Sequence, residues 1–151
     1  MNKDRRKIDT IVIHCSDSDW GCASVIDKWH RERDPDPFDR IGYHFVINNA
    51  YPDGVDKKPN WERDGLIEHG RDIADKGAHV RGHNATSIGI CLIGKRSFTG
   101  KQFDSLKDLY RFLCKEVGNT MRVVGHYELD SSKTCPNIDA DWLRTHLGIK
   151  E

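Results

Sequence analysis

The chain has 151 residues, 36% apolar and 32% charged, and its 24 Lys and Arg balance 24 Asp and Glu. That length suits a single domain able to bury ~70% of the surface its unfolded chain exposes. Zero net charge leaves no long-range field to attract nucleic acid or an anionic membrane, and no apolar run approaches the ~20 residues that span a bilayer.

The one basic run, Lys3-Asp4-Arg5-Arg6-Lys7, reads as part of a solvated N-terminal arm over residues 1–8. The apolar stretch behind it, Thr10 to Ile13, is shorter than the roughly 7–15 residues of a secretory signal, so cytoplasmic synthesis is expected. Cys15, Cys22, Cys91, Cys114 and Cys135 are odd in number, which favours reduced thiols over a disulfide framework.

Thr10 to Cys15, TIVIHC, is expected to form a strand covered on both faces, because Ile11, Val12 and Ile13 leave neither face polar. Ser24 to Asp27 has the form of a capping box with Asp in the acidic slot; the helix should pass Trp29 and reach about Arg33, where DPDP at 34–37 stops it. YHFVIN, from Tyr43 to Asn48, has the aromatic and β-branched content of a second strand. Residues 49–64 read as a long exposed loop, followed by a short strand at Leu66-Ile67 and a turn at Gly70-Arg71. SIGICLI, from Ser87 to Ile93, reads as a buried strand. Thr99 to Gln102 is a second capping box, and Phe103, Leu106, Leu109, Tyr110, Leu113 and Val117 continue at helical spacing up to Gly118. Met121 to Val124 should be another strand, and Asp139 should cap a last helix through Trp142, Leu143 and Leu147 that Gly148 ends. Strands alternating with helices, with no repeat and no linker, make the class α/β.

Most of the eight histidines need no special role, and His30, His69 and His146 fit that description. His14 and His126 differ, since each stands at the C-terminal end of a strand, where open α/β sheets build their sites. Cys135 follows on the loop after His126. Two imidazoles and a thiolate would suit zinc, with a fourth position left for water. Cys15 points to the opposite face of its strand, and His44 is a rival ligand although alternation separates it from Tyr43. Spacing alone leaves a zinc site and a purely structural role both open.

Four ordered motifs, IDTIVIHCSDSD, IGYHFVI, KGAHVRGHNATSIGICLIG and VVGHYELDSSKTCPNID, together resemble the zinc-dependent N-acetylmuramoyl-L-alanine amidases. This is the family of the T7-type phage lysozyme, related to the peptidoglycan recognition proteins of animals. The resemblance implies one domain with a central mixed β-sheet flanked by helices. It also implies one zinc ion per chain on His14, His126 and Cys135, with Tyr43 and Lys133 as catalytic residues. His79 matches a histidine lining the family's substrate groove, while Asn84 and Ser87 match positions that shape the turn into the SIGI strand. Two departures stand out: the 49–64 loop is longer than the phage pattern, and the His126–Cys135 segment is one residue longer.

The implied activity is hydrolysis of the amide between N-acetylmuramic acid and L-alanine in peptidoglycan, by a monomeric phage or prophage endolysin that reaches the wall after release. A cytosolic amidase recycling soluble muropeptides is one alternative. A module that binds peptidoglycan without cutting it is another, against which the intact Cys135 argues. Nucleic acid and membrane insertion are not expected.

Overall fold

β1 (Thr10–Cys15) is buried along its whole length, as its unbroken apolar run requires. In the computed structural model, which describes residues 6–149, it pairs in parallel with β4 (Ser87–Leu92) on one side and β5 (Arg122–Gly125) on the other. β2 (Phe45–Ile47) continues the parallel set beyond β4, and β3 (Ile67–His69) closes that edge antiparallel. The sheet order is therefore β3-β2-β4-β1-β5. Because β1, β2, β4 and β5 run the same way, their C-terminal ends open on one side, where such sheets place ligands.

Alternation divides the core between two faces. Ile11 and Ile13 of β1, Ile88, Ile90 and Leu92 of β4, and Phe45 and Ile47 of β2 pack with Leu106, Leu109 and Leu113 of α2 (Gly100–Val117) and Leu143 of α4 (Ala140–His146). On the other face, Ile26 of α1 (Ala23–Arg31) packs with Val46 and Cys91 over β2 and β4, while Val12 and Val124 meet Val80. His14 belongs to this second face, one step beyond Val12.

The Thr99 capping box forms as expected. Thr99 Oγ1 accepts the Gln102 N–H at 3.1 Å, and Gln102 Oε1 accepts the Thr99 N–H at 2.9 Å. Gln102 is fully buried, and its Nε2 also donates to the Ile47 and Ile93 carbonyls at 3.1 and 2.8 Å, tying α2 to the ends of two strands. Gly118, at φ +90°, terminates the helix. Asp139 caps α4 by accepting the Asp141 N–H.

Elsewhere the structure corrects the local reading. α1 starts at Ala23, so Ser24 is not its cap; the Ala23 N–H is bound instead by Glu68 Oε1 of β3 at 3.0 Å. Asp27 reaches outward, accepting the Ile41 N–H at 2.8 Å and Arg31 Nε at 2.7 Å. The YHFVIN strand shortens to Phe45–Ile47, although the His44 N–H still donates to the Gly89 carbonyl. A four-residue helix, α3 (His126–Leu129), follows β5 directly and was not expected. The 49–64 loop is mostly exposed, yet Ala50 is buried and the loop is pinned by Gly21 N–H to Tyr51 O and Asn60 N–H to Ala50 O, both 2.8 Å.

The N-terminal arm needs a correction as well. Residues 1–5 lie outside the described residues, but Arg6 is not solvated: its guanidinium donates to the carbonyls of Ile73 at 2.9 Å, Asn84 and Ala85 at 3.2 Å, and Ser87 at 2.9 Å. Ile8 is buried in the core. Unpaired carbonyls in two converging turns draw a charged fork that the sequence run alone presents as surface charge. All five cysteines are free thiols, and among the described residues no helix is long and apolar enough to cross a membrane.

Candidate active site

Three segments converge at the open end of the sheet. His14 arrives on the next-to-last residue of β1, His126 on the first turn of α3, and Cys135 on the loop that follows. One donor atom from each lies within 4.8 Å of the other two. The Cys135 loop is held to the sheet by main-chain and side-chain bonds: the Tyr127 N–H donates to Cys135 O at 2.9 Å, the Cys15 N–H to Cys135 Sγ at 2.9 Å, and Asn137 Nδ2 to the Lys95 carbonyl at 2.7 Å. Tyr127 Oη in turn accepts the Ala140 N–H at 2.9 Å, so the loop is fastened to the start of α4.

Electrostatics keep the imidazoles neutral. Burial pushes His14 well below its ordinary range, and His79, His126 and His30 add to the effect. His126 is half-buried; burial lowers it first, Lys133 lowers it further, and Asp130 works the other way. Neutral imidazoles are the form a metal accepts, and the nitrogen, nitrogen, sulfur donor set suits zinc. Cys15, set aside as a ligand, lies close to the cluster. The hydrogen bond between the two thiols lowers Cys15 and raises Cys135.

The remaining expected residues fall around this cluster. The Tyr43 ring sits 4.9 Å from that of His14, and burial raises its phenol well above the usual range, with Cys91 and Cys135 nearby adding to it. Tyr43 therefore stays protonated and can donate a hydrogen bond. Lys133 is exposed, with its backbone N–H on the Asp130 carbonyl at 3.0 Å and its charge felt at His126. His79 lies behind His14: its Nδ1 is 2.8 Å from His14 Nε2, and its Nε2 is 3.2 Å from Ser87 Oγ. Both ring nitrogens of the expected substrate contact are thus engaged inside the protein.

His44 is no ligand. Its Nδ1 accepts the Gly89 N–H at 3.0 Å, so Nε2 carries the proton and donates to the Asp75 carbonyl at 2.8 Å. Tyr43 and His44 precede β2, so strict alternation does not govern them, and both rings reach His79, at 6.5 and 5.8 Å. His30 accepts the Gly42 N–H through Nδ1, and His146 contacts the Phe103 carbonyl, as satisfied structural histidines would. The long loop contributes Tyr51, Val55 and Trp61 to a separate hollow of about 400 Å³, shared with Asp19, Asn49 and Phe98. Sequence reasoning missed the inward bonds of His79, although Gly77 and Gly89 carry a trace of them: a Cβ at either would lie 2.6 Å from its ring.

Comparison with known proteins agrees with this geometry. The family model described as N-acetylmuramoyl-L-alanine amidase matches residues 4–138. The endolysin of Escherichia phage T7 is 34% identical over 96% of this chain and 92% of its own length, and that of Enterobacteria phage T3 is 32% identical over the same shares. Among solved structures, the N-acetylmuramoyl-L-alanine amidase LysC from Clostridium intestinale URNW superposes with a TM-score of 0.77 at 26% identity, covering 99% of this chain and 90% of that one. With its fold, its converging donors and nearly its whole length in agreement, the chain belongs to the N-acetylmuramoyl-L-alanine amidase family.

Proposed function

We propose that this chain hydrolyses the amide joining the lactyl group of N-acetylmuramic acid to L-alanine in peptidoglycan. It does so as a monomeric endolysin of the phage type that is made in the cytoplasm and acts on the wall after release. His14, His126 and Cys135 would hold one zinc ion, and their convergence within 4.8 Å is the observation that carries the reading. Bound there, zinc supplies a Lewis acid and lowers the pKa of water toward ~7.

The protein's own groups supply the rest. An amide carbonyl resists attack because its tetrahedral intermediate places negative charge on oxygen. Lys133, exposed beside His126, offers a positive charge to that oxygen, and a donor of this kind contributes ~3–4 kcal/mol in the transition state. Tyr43, kept protonated by burial beside His14, donates a hydrogen bond to the same oxygen or orients the attacking water. The flanking face is already packed by Val12, Val80 and Val124, so the donors rest on a rigid floor.

Incubating the zinc-loaded chain with purified sacculi and identifying new chain ends tests the reading. New L-alanine amino termini without new reducing sugars are expected. Protein retained on the wall with no new ends would instead assign a recognition module. Cleavage of small muropeptides but not of sacculi would assign a recycling enzyme.

A further inference from the structure

Which nitrogen His14 offers to a metal depends on where its one proton sits, and the hydrogen bonds behind it decide that. The Ser87 hydroxyl has a single proton. It lies 2.8 Å from the His83 carbonyl, an acceptor only, so that proton points there. Ser87 Oγ must then accept from its other neighbour, His79 Nε2, at 3.2 Å. A neutral imidazole carrying its proton on Nε2 has a lone pair on Nδ1. That Nδ1 lies 2.8 Å from His14 Nε2, so the proton between them belongs to His14. His14 is left with its lone pair on Nδ1.

The ring of His79 is held in place for this task. A Cβ at Gly89 would come within 2.6 Å of its Cγ, and one at Gly77 within 2.6 Å of its Cδ2, so both positions are open only because they are glycine. Asn84 Oδ1 accepts the backbone N–H groups of both His79 and Val80 at 2.9 Å, fixing the main chain from which the ring projects. The His14 and His79 ring centroids lie 4.9 Å apart, a separation consistent with the two rings meeting nitrogen to nitrogen at 2.8 Å. The 86° between their planes is a rotation that such a bond tolerates.

We propose that His79 is a positioning residue for the metal centre: the relay from the His83 carbonyl through Ser87 and His79 locks His14 as its Nε2–H tautomer and presents Nδ1 to the metal. The proposal rests on the metal-centre reading above, and it gives His79 a role through His14 rather than through the substrate. Partners of this kind orient a ligand ring and raise its basicity, and losing one typically costs 10–100-fold in metal affinity.

Two measurements on the full chain test it. Long-range nitrogen–proton NMR of the histidine rings, with His14→Ala used to assign the signals, should show the His14 proton on Nε2 in both the metal-free and the zinc-loaded protein. Zinc affinity by chelator competition, with the visible spectrum of the cobalt-substituted protein as a geometric readout, should fall 10–100-fold in His79→Leu and less in Ser87→Ala. His79→Asn, whose amide oxygen can replace Nδ1 as acceptor, should recover most of the loss and the wild-type cobalt spectrum. A proton on Nδ1 of His14, or wild-type affinity and spectrum in His79→Leu, would overturn the relay. Should the wild-type protein bind no zinc, the metal-centre reading fails, while the His14 tautomer in the metal-free protein still decides the relay itself.

Discussion

Lys133, proposed above as a positive charge for the oxyanion, is the residue whose contribution would stand most clearly apart from metal retention. It is exposed, it stands two positions before Cys135, and its charge lowers His126 rather than neutralising a donor. Removing that charge should leave the three donors as they are, since positive charge beside a cation site only repels the ion. Lys133→Ala should therefore keep zinc affinity at or above that of the wild type while kcat on sacculi falls by about 10²–10³, the usual effect of losing one oxyanion donor. Unchanged kcat would remove Lys133 from the mechanism. At this scale the positions of His14 and His126 after apolar strand runs, and of Cys135 on the following loop, singled them out in the sequence. Spacing left a structural role open, and the donor set came from the family resemblance; the convergence of the three within 4.8 Å is the structure's addition. The bonds of His79 were not legible in the sequence, because its partner His14 lies 65 residues away and each has several polar neighbours to choose from.

Helix starts divide along the same line between local and distant partners. The cap of α2 needs only Thr99 and Gln102, two residues that the sequence displays within one stretch of four. The start of α1 draws on Glu68, 45 residues away, and the local box at Ser24 to Asp27 misleads because Asp27 is held by Ile41 and Arg31. α3 spans a single turn, too short for any periodicity to show, and its first N–H groups are served in part by Glu128, whose Oε1 accepts the Gly125 N–H at 2.9 Å. Gln102 shows how much one such residue can hold. Gln102→Leu would remove one cap bond and strip the Ile47 and Ile93 carbonyls of a donor in a fully buried setting. A loss of about 2–4 kcal/mol is expected, from the ~1–3 kcal/mol of the stranded Ile93 carbonyl together with the cap, since the Ile47 carbonyl keeps the Ile93 N–H at 3.0 Å. Urea unfolding monitored by circular dichroism measures it, and a loss below about 1 kcal/mol would mean that water replaces the amide.

Across the whole molecule, the α/β class was legible from alternating runs, but the sheet order was not. β3 is a three-residue edge strand with partly exposed side chains, and neither its length nor its pattern reveals that it pairs antiparallel with β2. What binds this architecture across its layers includes histidines buried as neutral acceptors, and these tie global stability to pH. His30, which takes the Gly42 N–H, is pushed down to about 4 by burial first and by Arg33 and Arg71 next, against Asp27. His44, which takes the Gly89 N–H, is pushed to about 4 by burial first, with the Asp75 carbonyl opposing and Arg6 and Arg71 adding to the drop. In the unfolded chain both titrate near the ordinary 6.5. Between about pH 6.5 and 4 the unfolded state therefore binds protons that the folded state refuses, and stability must fall as the pH falls through that window. Asp27, Glu128 and Asp130, whose carboxyls are lowered, add their own losses only toward the acid end, as the pH drops below their unfolded values of 3.8 to 4.5. The metal-free chain, used so that metal linkage adds no protons of its own, should show a lower urea midpoint at pH 5 than at pH 7.5 with an unchanged slope. His30→Asn, which keeps an acceptor for Gly42 but cannot titrate, should make the midpoint less sensitive to pH. Equal midpoints at the two pH values for the wild type would mean that these rings gain protons as readily inside the fold as outside it, and the hydrogen bonds from Gly42 and Gly89 would then need another acceptor.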